Sequence, residues 1–283
     1  MSVTTDHPHT DPHRTAPPSA LRVGLARTVV ELKLFFREKG AVVFSFLLPI
    51  ALLGIFAMVF SNGELYEEAA SVDFVQYITP GLLAGGIMLV SFQTLAIGIA
   101  MERDDGTLKR LRGTPMPPLA YFLGKIGMVL VAALAQAALL LAAAALFFGV
   151  DLPTGPERWL TFAWVFALGT TAGTTLGIGY SSVPKSAKSA EAMVVGPLLV
   201  LLFLSGVFLV FTELPEWVQT IASIFPVKWM AQGMRSAFLP DEFEPMEAAG
   251  SWQHGPIALI LVAWIVAGLI LAVQTFHWQR RDA

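Results

Sequence analysis

Apolar residues fall along this chain in six long runs, at about 41–60, 77–100, 119–149, 159–181, 192–211 and 256–276, with short polar stretches between them. A run of roughly 20 apolar residues is the length of a helix that crosses a bilayer. Lipid offers no partner for a free backbone amide, so such a run closes its hydrogen bonds internally, as a helix. Apart from Lys125, near the start of the third run, none of the six carries Asp, Glu, Lys, Arg or His. The third run is longer than a bilayer requires and predicts a helix that tilts or projects into water. Residues 41–283 therefore read as one membrane domain.

Two polar-apolar patterns flank these spans. Over residues 21–40, Leu21, Leu25, Val29, Leu32 and Phe36 fall on one helical face, and Arg27, Glu31 and Glu38 lie roughly opposite. Arg22, Lys33 and Arg37 border the apolar stripe. This predicts an amphipathic helix lying in the membrane interface, with basic flanks suited to anionic lipid; the other reading is a helix packed on protein. Between the fifth and sixth runs, the stretch from Leu214 to Pro240 is too long for a turn and too polar for a span. It predicts two short helices dipping into the interface, with Trp217, Ile221 and Ile224 on one face and Trp229 and Met230 beyond Pro226. They serve either to cap a pathway or to anchor the fold. The fold class is thus all-α and polytopic: six transmembrane helices, an N-terminal interfacial helix and short re-entrant helices on the outer side.

Composition agrees with this reading: 55% of the 283 residues are hydrophobic and 14% are charged, where a soluble domain carries about 25% charged. The absence of cysteine excludes disulfides, thiol catalysis and cysteine-based metal sites. Residues 1–20 are polar and rich in Pro, Thr and His, and predict a disordered tail. His7, His9 and His13 in that tail are candidate metal ligands, set against the simpler reading of solvated histidines. No metal site is expected.

The placement of charge sets the topology. With the N-terminus inside, fifteen of the 18 Lys and Arg residues face the cytoplasm, leaving Arg158, Lys228 and Arg235 outside. The first outer loop is acidic, with Glu64, Glu67, Glu68 and Asp73. Both termini are therefore expected in the cytoplasm.

One cytoplasmic stretch is unusually charged, Met101 to Pro118, M-E-R-D-D-G-T-L-K-R-L-R-G-T-P-M-P-P. Asp104, Asp105 or Thr107 suits the start of a short helix, Lys109, Arg110 and Arg112 crowd its last turn, and Gly113 with three prolines ends it. Leu108 and Leu111 share a face. A helix this short is unstable alone in water. The paired leucines and three cations predict a plug for an acidic groove on a cytoplasmic partner; the plainer reading is a solvated loop that enforces topology. Glu102 and Arg103 stand at the membrane exit, placed to pair with a neighbouring segment.

Glu102 to Lys125 resembles the cytoplasmic signature of ABC-2 type transporter permeases, within them the multidrug or antibiotic-resistance branch typified by daunorubicin exporters. Glu31 to Ile50 resembles that family's interfacial helix running into the first span, and Ser205 to Pro226 its fifth-span end and outer return. Val210 departs from the pattern, standing where the family often has proline. The resemblance implies a non-catalytic permease subunit, paired with a second permease copy and with separate cytoplasmic nucleotide-binding ATPase subunits that hold the ATP and magnesium. Glu102, Arg103, Gly106, Thr107, Leu108, Lys109, Arg110 and Leu111 would then couple the ATPase to the spans.

The residues themselves point the same way. The chain has no G-x-x-x-x-G-K-[ST] phosphate loop, since Gly124-Lys125 is followed by Ile126 and lacks the upstream glycine. No carboxylate or histidine lies within the spans to serve a proton relay, which leaves ion coupling through backbone carbonyls at broken helices as the alternative. Both absences point to an external motor. Gly169, Gly173 and Gly177 repeat every four residues in the fourth span, a stripe for close helix packing, within one subunit or at a dimer seam. Gln93, Ser91, Thr94, Gln136 and Ser205 are polar groups at depth, expected to bond helix to helix. Uncharged spans suit an apolar or amphiphilic cargo such as a drug or antibiotic, with a lipid, glycolipid or polymer as the alternative. A membrane scaffold or sensor that recruits a cytoplasmic protein is the rival of another class; no nucleic-acid partner is expected.

Overall fold

The computed structural model describes residues 19–60 and 72–276. The tail histidines, Glu64, Glu67, Glu68 and the C-terminal arginines lie outside them. Within the described residues, helix α1 (Ala20–Arg37) leads into α2 (Lys39–Val59). Helix α3 (Phe74–Met88) continues through one π-turn (Leu89–Gln93) into α4 (Thr94–Asp104), followed by the short α5 (Thr107–Arg112). Then come α6 (Pro118–Phe148), α7 (Pro156–Tyr180), α8 (Ala187–Leu204), α9 (Glu216–Ala222), α10 (Pro226–Phe238) and α11 (His254–Thr275).

Six of these are long and apolar enough to span: α2, the α3–α4 unit, α6, α7, α8 and α11. Punctuation in the sequence sets their ends. Pro118 and Pro156 start α6 and α7 where a missing amide costs nothing, and Gly149 closes α6 at φ 67°. A capping box of Ser186 and Ser189 starts α8. The fifth span departs from its sequence estimate: it begins five residues earlier and ends at Leu204 rather than near Phe211. Gly206 at φ 72° turns the chain there, a backbone state that favours glycine.

Span two is the centre of the bundle: 72% of its apolar window is buried, against 17% for each of spans one and six. Its 31 residues reach about 46 Å at 1.5 Å per residue, beyond the ~30 Å hydrocarbon core. Its last turn therefore emerges at one end of the bundle, beside α1 and α5. That is the basic end. At the opposite end α9 and α10 form the re-entrant pair. The α9–α10 turn accepts a hydrogen bond at Ile224 O from Trp264 Nε1, 2.8 Å. Trp264 lies ten residues into α11, so the pair dips about 15 Å into the bundle.

Candidate functional site

The charged stretch folds as a tight turn and a short helix. Gly106 adopts φ 76° between α4 and α5, and Asp105 Oδ1 accepts from the Thr107 amide at 2.8 Å. Gly113 ends α5 with right-handed backbone, φ −76°, and Thr114 Oγ1 donates to Leu111 O at 2.6 Å. The expectation for the leucines needs correcting. Leu108 is wholly buried in this chain's own core, out of a partner's reach, and the half-buried Leu111 packs against that core. The docking that stabilises so short a helix is internal. What α5 presents outward is Lys109, Arg110 and Arg112, with Arg110 Nη2 bonded to Thr107 Oγ1 at 2.9 Å.

The turn before α5 is fastened by three consecutive side chains to three different elements. Glu102 Oε2 accepts from Tyr121 Oη at 2.7 Å and Glu102 Oε1 from Lys125 Nζ at 2.6 Å, both on α6. Arg103 donates to Ser181 O at 2.6 Å and to Ser182 Oγ at 3.2 Å, just past α7. Asp104 Oδ2 accepts from the Ala187 amide at 3.0 Å, at the positive end of α8. Asp104 thus caps α8 rather than α5.

Lys125 carries the connection further, donating also to Glu31 Oε2 at 2.8 Å, and Glu31 pairs with Arg27 at 2.6 Å. Two cations and two carboxylates close a neutral cluster in which Glu31 is 3% and Lys125 4% exposed. The polar face of α1 is therefore buried against α6, and the apolar face, Leu21, Leu25, Val29 and Phe36, points out of the bundle. Glycines make this contact close. A Cβ on Gly24 would lie 2.7 Å from Leu123 Cβ, and a Cβ on Gly124 or Gly127 would collide with Arg27 or Thr28. Sequence reasoning passed over Glu31, Tyr121 and Arg27 as partners. Lys125 was the available signal, because a lone cation inside a span needs a counter-charge.

The glycine stripe of α7 meets its own chain along its length. A Cβ on Gly169 would lie 2.6 Å from Met230 Cε on α10, one on Gly173 would strike Ser91 Oγ, and one on Gly177 would lie 2.8 Å from Phe92 O. The last two contacts fall on the π-turn. The polar groups at depth do not bridge helices as expected: Ser91 and Thr94 donate to Ile87 O and Leu89 O of their own span. The Gln136 amide and Ser205 hydroxyl, both buried, find no hydrogen-bond partner among the described residues. An apolar groove of about 380 Å³ opens between α2, α3 and α8, with Gln93 its one polar side chain; Phe44, Phe56, Leu89 and Phe203 are among its walls.

At the opposite end α10 is buried throughout. Arg235 forks onto Glu247, 2.5 Å from Nε and 3.0 Å from Nη2, and its guanidinium stands 5.4 Å over the Tyr77 ring. Burial pulls the Arg235 pKa down, but the Glu247 charge outweighs it and the group ends above its ordinary range. Lys228 Nζ donates to Gln232 Oε1 at 2.6 Å and sits 3.6 Å over Trp229. Its pKa is lowered to about 8, by burial above all, with Glu247 opposing and Arg235 adding to the shift.

Comparison with known proteins supplies the family. The ABC-2 type transporter profile matches residues 25–239. Inner membrane transport permease YadH of Escherichia coli K12 is 22% identical over 219 residues, covering 76% of this chain and 84% of that protein. Probable multidrug ABC transporter permease YbhR of the same strain is 24% identical over 175 residues, 60% of this chain and 46% of that protein.

Proposed function

This chain belongs to the ABC-2 type transporter family, and from that premise we propose that it is the membrane subunit of an ATP-driven exporter of apolar or amphiphilic small molecules. The observation that carries the reading is the outward cationic face of α5, on a helix whose preceding turn is tied to α6, to the end of α7 and to the start of α8. Force applied there enters four spans at once. Lys109, Arg110 and Arg112 meet an acidic groove on a cytoplasmic ATPase subunit, which holds ATP and magnesium; this chain holds no cofactor. Glu102, Arg103, Gly106, Thr107, Leu108 and Leu111 transmit rather than touch.

The basic end then faces the cytoplasm, as do both termini. The outward apolar face of α1, bordered by Arg22, Lys33 and Arg37, rests on anionic lipid. A second permease copy completes the pathway. The groove between α2, α3 and α8 admits cargo from the bilayer, and its walls suit an apolar body such as a drug. Export of a lipid is compatible with the same groove.

The test is charge reversal. Lys109→Glu, Arg110→Glu and Arg112→Glu together abolish co-purification of the ATPase and ATP-dependent flux of a lipophilic dye from vesicles, while the chain stays folded. Association and flux at the parental level in that variant would overturn the proposal. Retained ATPase recruitment without flux of any amphiphile in the parent chain would favour a scaffold.

A further inference from the structure

On the exporter reading, motion of α5 must reach the rest of the bundle, and the structure restricts how. Helix α1 is joined to α6 in two independent ways. The first is steric: Gly24 receives Leu123, Gly124 receives Arg27, and Gly127 receives Thr28, so each of these side chains packs directly onto the bare backbone of the facing helix. Thr28 Oγ1 also reaches Leu123 O at 3.4 Å. The second is ionic: Lys125 stands between Glu31 of α1 and Glu102 of α4 and bonds both.

We infer that Lys125 is a positioning residue that makes α1, the first turns of α6 and the last turn of α4 one rigid block, so that α1 rides with α5 instead of sliding against span three. The physical reason lies in burial. Glu31 and Lys125 are almost fully shielded, so separating them strands charges away from water. A sliding α1 would have to lift Thr28 and Arg27 out of their glycine notches and break the Lys125 bridge in each cycle. A block moves with neither cost. In this arrangement the N-terminal helix is a lever: its outward apolar face sweeps the bilayer surface whenever the basic helix is displaced.

The absence of cysteine gives a clean test. A Cβ on Gly127 would lie 3.1 Å from Thr28 Cβ, close to disulfide spacing after a shift of a few tenths of an ångström. In the Thr28→Cys/Gly127→Cys chain, reconstituted with its ATPase, oxidation locks α1 to α6. Dye flux per ATP hydrolysed is expected to be the same oxidised and reduced. Loss of flux on oxidation, restored by reductant, would overturn the inference, and so would failure of the pair to oxidise.

A second variant reads the ionic half. Lys125→Met is expected to lower flux per ATP about tenfold or more while the complex still hydrolyses ATP. Adding the oxidised cysteine pair to Lys125→Met is expected to recover part of the flux, which a merely structural lysine would not allow. Undiminished coupling in Lys125→Met, or no recovery on locking, would overturn it. Absence of ATP-driven flux in the parent chain would instead count against the exporter reading, so the two failures are told apart.

Discussion

At the basic end a buried cation reaches carboxylates far along the chain, whereas at the α10 end the buried ion pair is local and the long-range one, Arg158 with Asp241, is exposed. Lys125 bonds Glu31, 94 residues away, and Glu102, 23 residues away. Arg235 finds Glu247 only 12 residues on, and Lys228 bonds the neutral amide of Gln232 at four. The two clusters are similarly dry, so their energetics are alike: buried pairs add little net stability but are costly to break. Their connectivity differs. Ties between distant helices make separate spans move together. Ties within one segment hold that segment in shape against its neighbours. The first arrangement suits transmission and the second suits a segment that keeps its own shape.

The largest effect is expected at the α10 end. Arg235→Met leaves Glu247 buried without its cation and should cost about 3–5 kcal/mol, seen as a lowered unfolding midpoint in detergent. The surviving protein should still couple flux to ATP normally. Uncoupling without loss of stability would erase the contrast between the two ends.

Next comes Leu108→Ala, which opens the core beneath α5 and should cost about 2–5 kcal/mol. The triple charge reversal on the outward face of α5 should leave the unfolding midpoint unchanged. If the leucine change removed ATPase binding while stability held, Leu108 would be a partner contact after all.

A smaller effect is expected midway between the ends, where α7 meets α10 at Gly169 and the π-turn at Gly173. Gly173→Ala should cost about 1–3 kcal/mol through overpacking against Ser91. Ser91→Ala in the same chain should return most of that. Equal midpoints for parent and Gly173→Ala would mean that the two helices are not in contact there.

The smallest effect is a pH dependence. Lys228, lowered to about 8, sheds its proton in the folded chain before it does in the unfolded one, ordinarily near 10.5. Between those values the unfolded state binds more protons, so stability rises with pH across that window and is lowest below it. Lys228→Met should flatten the rise in the midpoint from neutral pH to about pH 9.

Much of the fold was legible because lipid removes alternatives: an uncharged apolar run has no state open to it except a helix. The span count follows from that restriction, and the short basic helix follows from its capping residues, last-turn cations and prolines. What the pattern could not supply was the partner of each buried group. Glu31 read as the solvated side of an amphipathic helix, yet Gly124 and Gly127, unremarked in an apolar run, let that side dock on α6. Leu108 and Leu111 shared a face, but nothing in their spacing told whether that face turned to this chain or another. Span five was overrun to Phe211 because Ser205-Gly206 breaks the helix inside a continuous apolar run.

On the proposed function, work enters this chain from a nucleotide hydrolase seated on its basic end. The direct measurement is dye flux in vesicles holding the chain with and without the ATPase, under ATP or under an imposed ion gradient. Flux should appear only with both ATPase and ATP. Flux by the chain alone, driven by the ion gradient, would contradict the claim.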